Sequence, residues 1–173
     1  MEFAGTVLSC FFLLIGTASN AAEVYQVTYV YDGDTIKLRS VEASTEEARE
    51  ESEIKLRLTD IDAPERNQAY GLKSRRALMK LCQGSNVLVT AHITGIDKYQ
   101  RSLGQLKCNH IDASRYLAEH GLAWHYAQYS INDEIYNLAL SARQQRLGLW
   151  ANETPIPPWT WRKNHANEKY NPH

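Results

Sequence analysis

The sequence has no strong surplus of either charge: 19 Lys and Arg stand against 20 Asp and Glu, a formal net charge of −1 over 173 residues. It therefore lacks the broad basic surface expected of a nonspecific nucleic-acid binder. Six dispersed histidines form no His-Glu-x-x-His, and three cysteines form no Cys-x-x-Cys, so zinc chemistry has no support. No apolar run is long enough to cross a bilayer as a helix; residues 6–16, with Phe11, Phe12, Leu13, Leu14 and Ile15 at their heart, are too short. There is no internal repeat, and the one biased tract is rich in glutamate.

That tract changes the meaning of the charge balance. Between Glu42 and Glu53 there are six Glu and one Arg, so one acidic segment masks a mildly basic body. A run of this kind is by default a solvated loop. With 43% hydrophobic residues, four Trp and ten Tyr, the remainder can bury one core but is too short for two.

The leading apolar run is followed by small residues around Ala18 to Ala22 and reads as an export signal, residues 1–21, although Met1-Glu2-Phe3 carries no Lys or Arg. An uncleaved anchor is the alternative. Val7-Leu8-Ser9-Cys10 resembles a lipoprotein site only superficially, because the apolar region continues past Cys10. Once Cys10 is removed with the signal, Cys82 and Cys108 are an even pair in an oxidising compartment, hence a candidate disulfide; two buried free thiols are the other possibility.

Residues 24–30 and 36–38 alternate as strands around the turn Tyr31-Asp32-Gly33-Asp34-Thr35. Residues 54–62 return as a third strand, 87–93 give a fourth and 103–108 a fifth. Apolar spacing predicts helices over 67–82, closed by Gly84, over 112–120, stopped by Gly121, and over 133–147, followed by Gly148. Beyond Trp150, Pro155, Pro157, Pro158, Trp159 and Trp161 predict an extended segment that docks its tryptophans or frays. Five short strands with helices inserted late argue for an α+β fold, a small barrel decorated by three helices.

The chemistry concentrates in residues 54–65. Ile54, Leu56 and Leu58 alternate with Lys55, Arg57 and Thr59, so Arg57 points away from the apolar face of a stiff strand. Asp60, Asp62 and Glu65 follow, and Pro64 biases Ala63 to an extended conformation with its carbonyl free. Carboxylates with a backbone carbonyl suit Ca²⁺ or Mg²⁺, and a guanidinium fork suits a phosphate held through two oxygens. A plain edge strand ending in a charged turn explains the stretch equally well. Its partners would be Asp34 and the loop Asp97-Lys98-Tyr99-Gln100-Arg101: together they supply what in-line displacement at a phosphodiester needs.

Asp32-Gly33-Asp34-Thr35, then Arg57 with Asp62-Ala63-Pro64-Glu65, then Asp97-Lys98-Tyr99-Gln100-Arg101, in this order and spacing, resemble the staphylococcal (micrococcal) nuclease family. Gly121-Leu122-Ala123-Trp124 and Gly148-Leu149-Trp150 resemble it too, so the likeness covers about residues 24–150. It implies an OB-type five-stranded β-barrel over residues 22–150, with 151–173 as a tail. It also implies Ca²⁺-dependent endonuclease activity on DNA and RNA, leaving 3′-phosphates; with the export signal, the expectation is a secreted or periplasmic monomer. By position, Asp34 and Asp62 resemble the calcium carboxylates and Ala63 the carbonyl ligand. Arg57 and Arg101 resemble the phosphate-clamping arginines, and Glu65 the general base. Lys98 and Tyr99 match groups that hold a far phosphate. Of the tyrosines that pack on the nucleotide, one matches Tyr129, and the other falls on Ala127 with Tyr126 beside it. The Glu-rich excursion is longer than in the prototype, Cys82 and Cys108 are absent from it, and the near-neutral charge implies weaker, more salt-sensitive capture of nucleic acid. The rival from another class is a non-catalytic OB-type module that holds strands without cutting them.

Overall fold

In a computed structural model that describes residues 23–166, the period-2 segments become a closed barrel. Strands β1 (Glu23–Val30) and β2 (Thr35–Ser40) form an antiparallel hairpin, and β3 (Ile54–Leu58) adds to β2 with Thr35 opposite Arg57. A two-residue strand, β4 (Ile61–Asp62), follows. Across the hairpin, β5 (Val89–Ile96) pairs with β1 and with β6 (Ser102–Cys108). Closure comes from the parallel pairing of β6 with β3, Ser102 opposite Leu56, which leaves the five main strands without a free edge. Short β7 (Ile111–Asp112) extends β6, and β8 (Trp124–His125) pairs with β4 as a separate ribbon.

The barrel interior is apolar because the alternation sends Ile36, Leu38, Leu56, Leu58 and Leu106 inward, each buried almost completely. Helix α2 (Gly71–Cys82) contributes Leu78 and Cys82, α3 (Ala113–Glu119) contributes Leu117, and α4 (Asp133–Gln144) contributes Ile135 and Ala139 to the same core. These are the three helices expected from apolar spacing. Cys82 ends α2 and Cys108 ends β6, with Cα atoms 5.2 Å apart, at disulfide distance.

Two further helices correct the sequence-based expectation. The Glu-rich segment is not a bare loop: it forms α1 (Glu46–Glu51), where the Thr45 hydroxyl accepts from the Ala48 amide and Glu46 and Glu47 sit at the positive end of the helix dipole. None of its residues is buried, so it is held from outside, by Arg39 between Glu46 and Glu53 and by Lys37 on Glu53. The tail is not extended either. Its prolines deliver the chain into α5 (Pro158–Asn164), with Pro158 in the first turn, where a missing N–H costs nothing. The proposed signal over residues 1–21, with Cys10, lies outside the described residues, among which no helix is long and apolar enough to cross a membrane.

Candidate active site

The turn from β1 to β2, the β3–β4 stretch and α5 meet at one end of the barrel. Asp34 arrives there because its carbonyl accepts from the Leu58 amide, tying the hairpin turn to the end of β3. Gly33 permits the approach, since a Cβ there would stand 2.7 Å from the side chains of both Ala63 and Ser74. Asp60 turns the chain from β3 to β4 in the left-handed region, φ 71°, a conformation that Asp tolerates better than most residues. The same Asp60 accepts from the Ser130 hydroxyl at 2.6 Å, and its carbonyl accepts from the Tyr126 amide, so the tyrosine-bearing loop is moored to the site.

Arg57 is buried, 8% exposed, with its guanidinium wedged between Asp34 (4% exposed) and Asp62 (1% exposed). Nη2 donates to Asp62 Oδ1 at 2.9 Å, while Nη1 lies 3.2 Å from Asp34 Oδ2 and donates to the carbonyls of Leu58 and Ile61 at 2.9 Å. The alternation had directed this side chain away from the apolar core, and the structure encloses it among carboxylates and carbonyls. Asp34 also accepts from the Thr35 hydroxyl and from the Ala63 amide. Asp34 and Asp62, from two separate turns, thus share the Arg57 guanidinium.

Burial pushes the Asp34 carboxyl up to about 7 against the opposing pull of Arg57, and the neighbouring Asp32 adds to the rise. Burial also raises Asp62, opposed first by its bonds to Arg162, with Asp34 reinforcing the rise. The buried carboxylates are poorly screened, and Arg57 and Arg162 offset their repulsion only in part, since both carboxyls remain raised.

Arg162, on α5, is the functional-site residue that sequence reasoning missed. Its Nη2 donates to Asp62 Oδ2 at 2.7 Å, and its Nη1 donates to Asp62 Oδ1 at 3.1 Å and to Glu65 Oε1 at 2.9 Å. Glu65 is placed by backbone: its amide donates to Gln68 Oε1, and its carbonyl abuts Gly71, where a Cβ would come within 1.8 Å of that oxygen. The signal for Arg162 was present in Pro157-Pro158 opening a helix, which sets Trp159 and Arg162 three residues apart on one face.

The other expected groups lie around this cluster rather than in it. Arg101 donates through Nε and Nη2 to Asp97, and among the described residues it makes no bond to Asp34 or Asp62; it stands one residue ahead of Ser102, where β6 pairs with β3. Lys98 and Arg101 flank the exposed Tyr99 ring at 5.1 and 5.5 Å. Tyr126 and Tyr129 meet edge-on at 4.9 Å, with Tyr129 71% exposed. Tyr126 is stacked on Trp159 of α5, centroids 5.6 Å apart and planes within 8°.

Among the described residues no cluster of three or more His, Cys, Asp or Glu side chains is arranged to hold a metal ion. A divalent cation would rest on fewer side chains. The donor set fits in kind: Asp34 and Asp62 are buried hard oxygens that repel each other, and Ala63, whose amide bonds to Asp34, is the residue that would add a backbone carbonyl.

A family model described as "Staphylococcal nuclease homologue" matches residues 55–152 of the chain. That span holds Arg57, Asp62, Glu65 and Arg101, and leaves Asp34 and α5 outside. An "Uncharacterized endonuclease" of Haemophilus influenzae is 35% identical over 159 residues, covering 91% of this chain and 83% of that protein. An "Uncharacterized endonuclease" of Escherichia coli is 36% identical over 138 residues, 79% of this chain and 83% of its own. "Staphylococcal-like nuclease CAN1" of Arabidopsis thaliana is 37% identical over 111 residues, 64% of this chain; the chain spans about a third of that plant relative's length.

Proposed function

The chain belongs to the staphylococcal nuclease homologue family, and from that premise we propose that it is an exported, Ca²⁺-dependent endonuclease that hydrolyses phosphodiester bonds of DNA and RNA and leaves 3′-phosphates. The observation that carries the reading is the pairing of Asp34 and Asp62 through Arg57, with Glu65 bound to the same Asp62 through Arg162.

Asp34, Asp62 and the Ala63 carbonyl would hold the calcium ion, which supplies positive charge against the oxygens of the phosphate. Glu65 takes the proton of a water molecule as the water oxygen bonds to phosphorus. The bond from phosphorus to the 5′ oxygen breaks, and that oxygen leaves with the electron pair and takes up a proton. Arg57 retains its Nε and one Nη2 proton for a phosphate oxygen, and Arg101 approaches from the neighbouring strand. Lys98 and Tyr99 hold a further phosphate, and Tyr126 and Tyr129 offer faces to a base.

Export rests on the leading apolar segment, and the Cys82–Cys108 disulfide that we read from the 5.2 Å separation suits an oxidising compartment. Amino-terminal sequencing of protein recovered outside the cytoplasm should begin near residue 22.

The activity is tested by incubating the purified protein with plasmid and with RNA, in Ca²⁺ or in chelator, beside Glu65→Ala. Cleavage should require the ion and should fall on the order of 10²- to 10³-fold in the variant. Equal cleavage by both proteins rules out the assignment of Glu65. Strand binding without cleavage by the wild type identifies a non-catalytic OB module instead.

A further inference from the structure

Helix α5 contacts the candidate catalytic carboxylates and yet lies beyond the residues that the family model matches. Its seat does not depend on Arg162. Pro158 is buried, Trp159 lies flat on Tyr126 and meets Trp124 edge-on at 5.6 Å, and Gln68 Nε2 donates to the Ile156 carbonyl at 2.6 Å. The other end of the Gln68 amide accepts from the Glu65 backbone. One side chain therefore ties the approach to α5 to the very residue that Arg162 reaches from the helix. An element fastened this way is a wall of the site, and a detachable plug held by one ion pair would not need these anchors.

What Arg162 does there follows from its bonds. It spans both oxygens of Asp62 and takes only Oε1 of Glu65; Oε2 accepts no hydrogen bond from the described residues. A glutamate has three torsions, and confining such a side chain costs rotamer freedom. Glu65 is also like-charged with its neighbour Asp62, so unaided it would swing away. A guanidinium between them bonds to both and leaves a single Glu65 oxygen with no hydrogen bond from the described residues.

The geometry points to Arg162 as a positioning residue for the hydrolysis: from α5 it fixes Glu65 against Asp62 by one carboxylate oxygen and leaves the other to take the proton of the attacking water. The inference rests on the reading of Glu65 as the base. Arg162 itself neither gives nor takes a proton. The water oxygen bonds to phosphorus, its proton passes to Glu65 Oε2, and the 5′ oxygen departs with the electrons of the broken bond and is protonated by solvent.

The test compares the full chain, Arg162→Gln, Arg162→Lys, Glu65→Gln and the double variant Glu65→Gln with Arg162→Gln. Initial rates on a labelled DNA strand give kcat and KM, calorimetric titration with Ca²⁺ reports ion binding apart from turnover, and thermal melts check folding. Arg162→Gln should lower kcat about 10²-fold, the scale of a small misplacement at a reacting centre, with KM little changed and Ca²⁺ still bound. Arg162→Lys should recover part of the loss, since an ammonium can hold one Glu65 oxygen. The double variant should be no slower than Glu65→Gln alone, because residues acting as a unit are not additive. If Arg162→Gln cleaves as fast as the wild type or faster, while Glu65→Gln is slow, the positioning role is overturned and α5 is a restraint on the site. A double variant that loses the full product of both effects also overturns it, because Arg162 then acts elsewhere. Glu65→Gln at the wild-type rate refutes the base assignment itself.

Discussion

Two clusters of arginine and carboxylate lie at the ends of the same pair of strands, and they use the same residue types to different effect. At the open end of β2, Arg39 and Lys37 hold Glu46 and Glu53 against the outside of the barrel, with side chains in contact with water. At the other end, where β1 turns into β2, Arg57 sits between Asp34 and Asp62 with little access to solvent. In water such a pair gains little, because the dielectric weakens it and salt screens it. Out of water each charge is costly alone and the partners become mutually indispensable. Burial, rather than the presence of opposite charges, separates a docking contact for an acidic helix from the tightly coupled cluster of the candidate site.

The sharpest way to break the comparison is to remove the arginine from each cluster. Arg57→Ala leaves two buried carboxylates without their shared cation and should destabilise the fold by about 3 to 5 kcal/mol, read from urea unfolding monitored by tryptophan fluorescence. Arg39→Ala should shift the same transition far less, and high salt should mask what shift there is. Comparable losses in the two variants would mean that burial is not the deciding factor.

The pH dependence of stability should divide the clusters in sign. Asp34 has its carboxyl raised, to about 7, so the folded state holds that proton more tightly than the unfolded chain does. By linkage its contribution is fully present below about pH 4 and is lost as the pH climbs through 7. Glu53 runs the other way. Its bond from Lys37, and then that from Arg39, hold its carboxyl below the usual range. Its contribution is present above the ordinary carboxylate range and is lost as the pH falls through the depressed value. In chelator, Asp34→Asn should flatten the loss of stability between pH 4 and 7, whereas Glu53→Gln should change only the acid side. Melting curves across pH check both, and a wild-type slope in Asp34→Asn contradicts the burial account.

The smallest effect should come from the surface of α1. Replacing Glu46, Glu47, Glu50 and Glu51 by Gln removes negative charge from a helix with no buried residue. Binding to a DNA strand in chelator should tighten a few-fold at low salt and converge with the wild type as salt rises, because the gain is electrostatic. Fluorescence anisotropy over a salt series reads it. Unchanged binding at every salt concentration would place α1 too far from the path of nucleic acid to matter.

Much of this was legible in the chain. The five strands of the barrel followed from period-2 alternation, and three helices from apolar residues recurring three and four apart. The acidic turn, the Arg57 strand and the Asp97 to Arg101 loop were recognisable as one chemistry from residue types and order. The helices α1 and α5 escaped for different reasons. The first is polar all round and owes its form to a cap and to ion pairs with β2; the second was obscured by prolines that announce a break but here open a helix. Arg162 went unrecognised as a site residue, despite the prolines that open its helix, because it acts 100 positions away from Asp62.

By itself the sequence determined which segments would pair and bury their faces, because alternation and helical spacing are local properties of the chain. It also fixed which groups capable of phosphodiester chemistry were available. Only the tertiary structure decided that Arg57 would be enclosed between Asp34 and Asp62, that Trp159 would lie on Tyr126, and that Arg162 would reach Glu65. Loss of water is the physical reason. Whether a charge is a solvated ornament or a strongly coupled partner depends on what surrounds it, and the surroundings come from residues far away in the chain.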